Sequence, residues 1–402
     1  MTSSTATETI LAPSSSSAPY PKTERQAEFM ALADRLAEIA AAQAEAHDRD
    51  NTFPHDTFDA LRESGYLALT VPEEFGGRGA TPLELMLAQE RLARGNGSVA
   101  LAATMHLVLV ARLAALRPWP ESLLERFFRE VVEDGALINS AASEPELGSP
   151  SRGGQYATRA VRAENGWRIN GHKRWTTLAP ALRYVVAQLS VEDADGELSR
   201  GSFLVPTSSP GFRVEETWDN LSMRATGSHD VIFDNVLVPD ENRLPNDNQQ
   251  GNVDLQGWSL ISSAVYLGIA TAARDFAVEY AKHRRPSGLP GPIAELQTVQ
   301  HRIAQIELLR LQARSVLYGT IETYENDIEA RRAIAWQFPA AKYTVTNNAI
   351  QITDQALRVV GSAGLSRRLP LERYFRDVRA GLGNPPMDDV ALTIIGKAAL
   401  GL

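Results

Sequence analysis

The apolar residues of this 402-residue chain change their period twice, and those two changes limit the folds open to it. From residue 23 to 136 they recur three or four apart, the spacing of one helix face, beginning with Leu32, Leu36, Ile39 and Ala40. Helix is expected over 23–63, broken at Phe53-Pro54 and resumed over 56–64 up to Gly65, then over 81–94, 98–116 and 121–133. From about 137 to 244 the segments become short, alternating and rich in Val, Ile, Phe and Thr, with Asn165-Gly166 and Asn170-Gly171 among the turn signals. Strands are expected over 136–142, 157–164, 167–170, 184–189, 202–206, 212–215 and 230–239. Beyond Gly257 long amphipathic helices return, over 259–283, 295–325, 327–361 and 388–400. The expected fold class is α+β: a helical domain over 23–136, a β-barrel or sandwich over 137–245, and a four-helix bundle over 246–402.

Residues 1–22 are rich in Ser, Thr, Ala and Pro and read as a disordered tail. They lack the basic segment and long apolar run of a signal peptide, and no apolar run is read as long enough to cross a bilayer, so a cytoplasmic protein without membrane contact is the default. Cysteine is absent, which excludes disulfides, thiolate nucleophiles and Cys-ligated metal centres. A net charge of −9 argues against a general nucleic-acid binder, since phosphate binding needs a basic face. No metal ligand set is expected.

The local motifs follow one order. Ser143-Glu144-Pro145-Glu146-Leu147-Gly148-Ser149 is followed by the Gly166 to Thr177 segment, which contains Trp175-Thr176-Thr177. Leu221-Ser222-Met223-Arg224, Leu267-Gly268-Ile269-Ala270, Arg284, Gln297 and the run from Pro370 to Asp377 come after it. In joint order and spacing these resemble the acyl-CoA dehydrogenase family over residues 23–402. The resemblance implies a bound flavin, FAD or FMN. It places Ala142, Ser143, Gly148 and Ser149 along the ring edge and phosphate, and Trp175, Thr176 and Thr177 against the ring near its reactive N5. Arg284, Gln297, Arg358 and Gly361 would hold the distal part of the cofactor, Arg284 often across a subunit boundary, and a homotetramer is implied. On residue type alone, Trp175 also suits a core aromatic and Arg284 a solvated helix-end charge.

Family dehydrogenases remove a substrate proton with a glutamate. At the usual position, counted from Arg376-Asp377, this chain has Pro385; at the alternative position it has Trp258, beside Ser259. Asp388 and Asp389 follow closely, as a displaced base or, the favoured reading, as a helix N-cap with a first-turn acid. A branch of the family without the glutamate takes reduced flavin from a separate NAD(P)H:flavin reductase and uses it with oxygen. Dibenzothiophene monooxygenases, two-component phenol-type hydroxylases and aminosugar nitrososynthases belong to it, and the Met223 to Asp230 segment is similar to theirs. His106, His229, Ser143 and Ser228 are then the candidate catalytic groups, with structural roles as the alternative for both histidines. The resemblance leaves three readings: a monooxygenase acting on a small organic substrate, an acyl-CoA dehydrogenase with a displaced base, and a non-catalytic flavin- or acyl-binding protein.

Overall fold

A computed structural model describes residues 20–146, 154–192, 195–245 and 253–402. Helices α1 (Glu24–Asp50), α2 (His55–Glu63), α3 (Pro82–Gly95), α4 (Gly97–Leu116) and α5 (Glu121–Asp134) form the first domain. Thr81 starts α3 through a capping box: its hydroxyl accepts from the Glu84 N–H while the Glu84 carboxylate accepts from the Thr81 N–H. Asn96 caps α4 by accepting from Ser98 and Val99. Residues 20–22, expected in the tail, already pack: the Tyr20 ring lies 5.0 Å from that of Tyr318, and its hydroxyl donates to Glu322.

Among the described residues the middle domain is one sheet of eight strands: β1 (Ile138–Ala141), β2 (Arg159–Ala163), β3 (Gly166–Thr176), β4 (Tyr184–Glu192), β5 (Leu198–Pro206), β6 (Phe212–Glu215), β7 (His229–Val238) and β8 (Arg243–Leu244). Its path runs β6-β7-β3-β2-β4-β5-β8, with β1 parallel to the first half of β4. β3 is much longer than the expected 167–170 because it continues through a register shift at Gly171. There φ is +153°, and a Cβ would fall 2.4 Å from the Thr158 hydroxyl, so the bulge admits only glycine.

The third domain contains α6 (Ile261–His283), α7 (Gln297–Asn326), α8 (Gln337–Val360), α9 (Leu371–Asp377) and α10 (Asp388–Leu400). The helix expected over 327–361 starts only at Gln337. Pro339 occupies its first turn, where a missing N–H costs nothing; a helix running through from residue 327 would lose a hydrogen bond and clash there. α3 crosses α6 at Gly268, where a Cβ would meet the Glu90 carbonyl oxygen at 2.3 Å.

α4 packs against α3, α6 and β1 and so joins the three domains. It is apolar nearly all round, as a helix buried between layers must be. At 20 residues and a mean hydropathy of 2.0 in its best window, it is long and apolar enough to cross a membrane, contrary to the sequence reading; 61% of that window is buried inside the fold. On one side of α4 a second core forms around Phe127 and Phe128, 1% and 0% exposed, with Val110, Ile138, Val186 and Leu204. Truncating either phenylalanine to alanine costs about 3–5 kcal/mol.

Candidate functional site

The segment after β1 is held to β3 by a buried ion pair. Glu144 accepts from the Ala157 and Thr158 amides at 2.6 and 3.0 Å and from Lys173 Nζ at 2.6 Å. The two side chains are 2% and 0% exposed, and the Tyr156 ring lies 4.2 Å from Nζ. Burial works to raise the Glu144 carboxyl, but the donors aimed at it outweigh burial and hold it below its ordinary value. Burial pushes Lys173 down against the pull of Glu144. One residue earlier, the Ser143 carbonyl accepts from the Arg174 amide at 2.9 Å. The half-buried Ala142 and Ser143 thus lie alongside the end of β3.

At that end Trp175 has φ +57° and is 55% exposed, so it is no core aromatic. The Arg174 guanidinium carbon lies 5.2 Å from its ring centre. Thr176 is 1% exposed, and its hydroxyl is buried without a hydrogen-bond partner among the described residues. The half-buried Thr177 follows. Backbone bonds from Leu178 and Ala179 to the Thr226 and Gly227 carbonyls, both 3.1 Å, tie this corner to the residues before β7. Gly227 has φ +57°, and a Cβ there would sit 2.8 Å from Phe53 and 2.9 Å from Pro180.

Those ties align three hydroxyls. Thr226 Oγ1 donates to the Met223 carbonyl at 2.9 Å, since a carbonyl only accepts. Ser228 Oγ lies 2.7 Å from Thr226 Oγ1 and 2.8 Å from Thr177 Oγ1. Each hydroxyl has one hydrogen. With that of Thr226 committed, Ser228 donates to Thr226 and Thr177 donates to Ser228. Ser228 is 4% exposed and its hydrogen is spent inward, so it lies behind Thr177 and is not itself a donor to a ligand.

A cavity of about 480 Å³ opens one hydrogen bond away. Asn139, in its wall, donates to the Thr177 carbonyl at 3.0 Å. Met105, Val108, Leu109, Trp119 and Val186 give the cavity an apolar wall, and Thr104, Ser140, Gln188 and Ser262 a polar one. Trp258, Ser259 and Pro385 all line it, so both positions at which the family carries its base face this one space. Among the described residues lining it there is no Asp, Glu or His, and Arg112 is the one charged side chain. Asn384 is held by the Tyr266 hydroxyl at 2.8 Å. Asp388 is not in the wall: it sits in the first turn of α10, with Lys342 Nζ at 3.6 Å and Asn347 Nδ2 at 3.1 Å. The helix cap position is Met387, without a side-chain cap bond.

Several expected residues are placed elsewhere. His106 is wholly buried, its Nδ1 accepting from the Ile138 amide at 3.2 Å and its Nε2 donating to the Leu67 carbonyl at 3.0 Å. Burial pushes it down to about 4, and the neutral ring with both nitrogens engaged pins α4 to β1 rather than facing the cavity. His229, 7% exposed, accepts at Nδ1 from the Trp218 amide at 3.1 Å and is lowered by burial. Arg284, Gln297, Arg358 and Gly361 lie exposed on the helical domain, and none lines the 480 Å³ cavity. Gly148 and Ser149 lie outside the described residues. The sequence reading missed Asn139 and Arg112; the signal was a lone amide in an apolar strand and a lone cation on an apolar helix.

The acyl-CoA dehydrogenase N-terminal, middle and C-terminal domain models match residues 23–117, 139–236 and 260–400. The Bacillus subtilis protein "Putative acyl-CoA dehydrogenase YdbM" is 40% identical over 92% of this chain and 96% of its own length. The amino sugar nitrososynthase DnmZ of Streptomyces peucetius is 30% identical over 90% of each. A solved structure of KijD3, in complex with FMN and a dTDP-linked amino-keto sugar, superposes with a TM-score of 0.83 at 29% identity, covering 95% of both chains. Three consecutive domain matches and a relative at 40% identity over nearly the whole length settle the family: the chain belongs to the acyl-CoA dehydrogenase family and is a flavin oxidoreductase of that superfamily.

Proposed function

We propose that the protein is a monooxygenase that uses reduced flavin and molecular oxygen on a small organic substrate. The observation that carries this reading is the cavity wall. A dehydrogenase needs a carboxylate within hydrogen-bond reach of the substrate α-proton. Here the two positions at which the family carries one hold Trp258 and Pro385, and among the described residues no acid lines the space.

The residues present fit a flavin ring. A flat heterocycle needs an aromatic wall and polar groups along one edge. The exposed Trp175 indole offers the wall, and Ser143 and Thr177 offer the polar edge. The flavin supplies the redox chemistry. The chain positions the ring, encloses the substrate beside Asn139, and excludes bulk water with Trp119 and Trp258. Arg284, Gln297, Arg358 and Gly361 are exposed, which suits contact with a cofactor bound mainly by another copy in a homotetramer. With FMN, which has no adenine half, those contacts are dispensable. Reduced flavin would come from a separate NAD(P)H:flavin reductase.

The name carried by the 40% identical relative favours the other reading, an acyl-CoA dehydrogenase. Asp388 would then have to leave Lys342 and Asn347 for the cavity. A panel of short, branched and aromatic acyl-CoA thioesters, added anaerobically to the flavin-loaded protein, separates the two. Unchanged flavin absorbance is expected; rapid bleaching by any thioester would overturn the proposal.

A further inference from the structure

We infer that the hydroxyl series Thr177–Ser228–Thr226 is a specificity device that makes the site prefer reduced over oxidised flavin. The inference rests on the proposal that the flavin ring lies against Thr177.

The series has a fixed polarity. Its inner end is the Met223 carbonyl, which also accepts from the Trp218 indole N–H at 3.0 Å. The Met223 amide donates to Asp377 at 2.8 Å, so the end is anchored to α9. Ser228 and Thr226 are 4% and 1% exposed, which leaves no bulk water to give them other partners. Every hydrogen therefore points inward, and the Thr177 oxygen presents only lone pairs to a ligand.

Oxidised flavin has a bare lone pair at N5, and reduced flavin has an N–H there. A lone-pair acceptor suits the second and opposes the first. One neutral hydrogen bond gained against one left unmade corresponds to about ten- to a hundredfold in affinity. The same preference raises the midpoint potential of bound flavin above that of free flavin, by about 30 mV per tenfold for a two-electron couple.

Thr226→Val keeps the buried shape and removes the inner acceptor. Ser228 then turns its hydrogen toward Thr177, and Thr177 is free to donate to the ligand. Dissociation constants for oxidised and reduced FMN and FAD, measured anaerobically without substrate, read the change. The wild-type protein is expected to bind reduced flavin at least tenfold more tightly. In Thr226→Val and in Ser228→Ala this ratio should fall about tenfold or more, mainly through tighter binding of the oxidised form, and the midpoint potential should fall with it. Thr177→Ser should keep the wild-type ratio and Thr177→Val should lose it. An unchanged ratio in folded Thr226→Val and Ser228→Ala would overturn the inference, and either variant suffices if the other fails to fold. These readouts need neither oxygen nor a thioester. A protein that proved to be a dehydrogenase would refute the proposed activity and still show the shifted ratio. A protein that bound neither redox form would refute both.

Discussion

Asp388 Oδ1 stands 3.6 Å from Lys342 Nζ, in the gap between α10 and α8. The acid nearest in sequence to the empty base position at Pro385 is thus engaged with a lysine that is 3% exposed. Burial lowers Lys342, and Asp388 opposes that shift. Asp388→Asn should therefore cost stability, about 1–3 kcal/mol, by leaving a buried ammonium with weaker compensation. Flavin-dependent turnover of the folded variant should change less than about threefold. Urea unfolding and steady-state rates measured on one preparation separate the two effects. Abolished turnover with full stability would restore Asp388 as a base.

Glu144 and Lys173 give a second test. Removing one member of a buried, hydrogen-bonded pair strands the other, at about 3–5 kcal/mol. Glu144→Gln should be the more destabilised protein, and the double variant Glu144→Gln/Lys173→Met should recover part of the loss. Because the pair also holds the Ser143 segment to β3, flavin affinity should fall in the single variant. Denaturation midpoints and flavin titrations of the three proteins check both points.

Trp175 is expected to separate binding from stability. At 55% exposed it contributes little to the core, so Trp175→Ala should change stability by no more than about 0.5 kcal/mol. Flavin affinity should fall at least tenfold. A core role would show the reverse pattern in the same two measurements.

Asp377 sets a pH dependence. It is 2% exposed, and burial pushes its carboxyl up to about 6 from an ordinary 3.8. The folded state therefore holds a proton that the unfolded state has released, and this group's stabilising contribution, full below 3.8, is lost as pH rises through 6. Asp377→Asn can still accept from the Met223 amide and should become more stable relative to wild type as pH rises across that window. His106, lowered to about 4 from 6.5, acts with the opposite sign as pH falls from 6.5 toward 4. The Asp377 effect is therefore read as the difference between wild type and Asp377→Asn, which cancels the histidine.

The order of helices, strands and helices was legible because long periodic stretches announce their elements. The two main departures have local causes. Gly171 reads as a turn signal but serves as a bulge inside β3, and Pro339, in the first turn of α8, keeps that helix from beginning as early as the pattern suggests. Within the site, Trp175, Ser143 and the vacancies at Trp258 and Pro385 could be read from motif and count. His106 could not be assigned, because its role depends on the Leu67 carbonyl and the Ile138 amide, groups with no sequence signature. Asn139 was missed for a similar reason: only the tertiary fold brings its amide to Thr177.

The central claim is that this cavity serves oxygen chemistry on reduced flavin, not proton abstraction from a thioester. A stopped-flow oxygen pulse onto the protein loaded anaerobically with reduced FMN or FAD tests it most directly. The expected result is a transient absorbing species distinct from reduced and oxidised flavin, with return of the oxidised spectrum slower than for free flavin. Direct reoxidation at the free-flavin rate, without a transient for either cofactor, would contradict it.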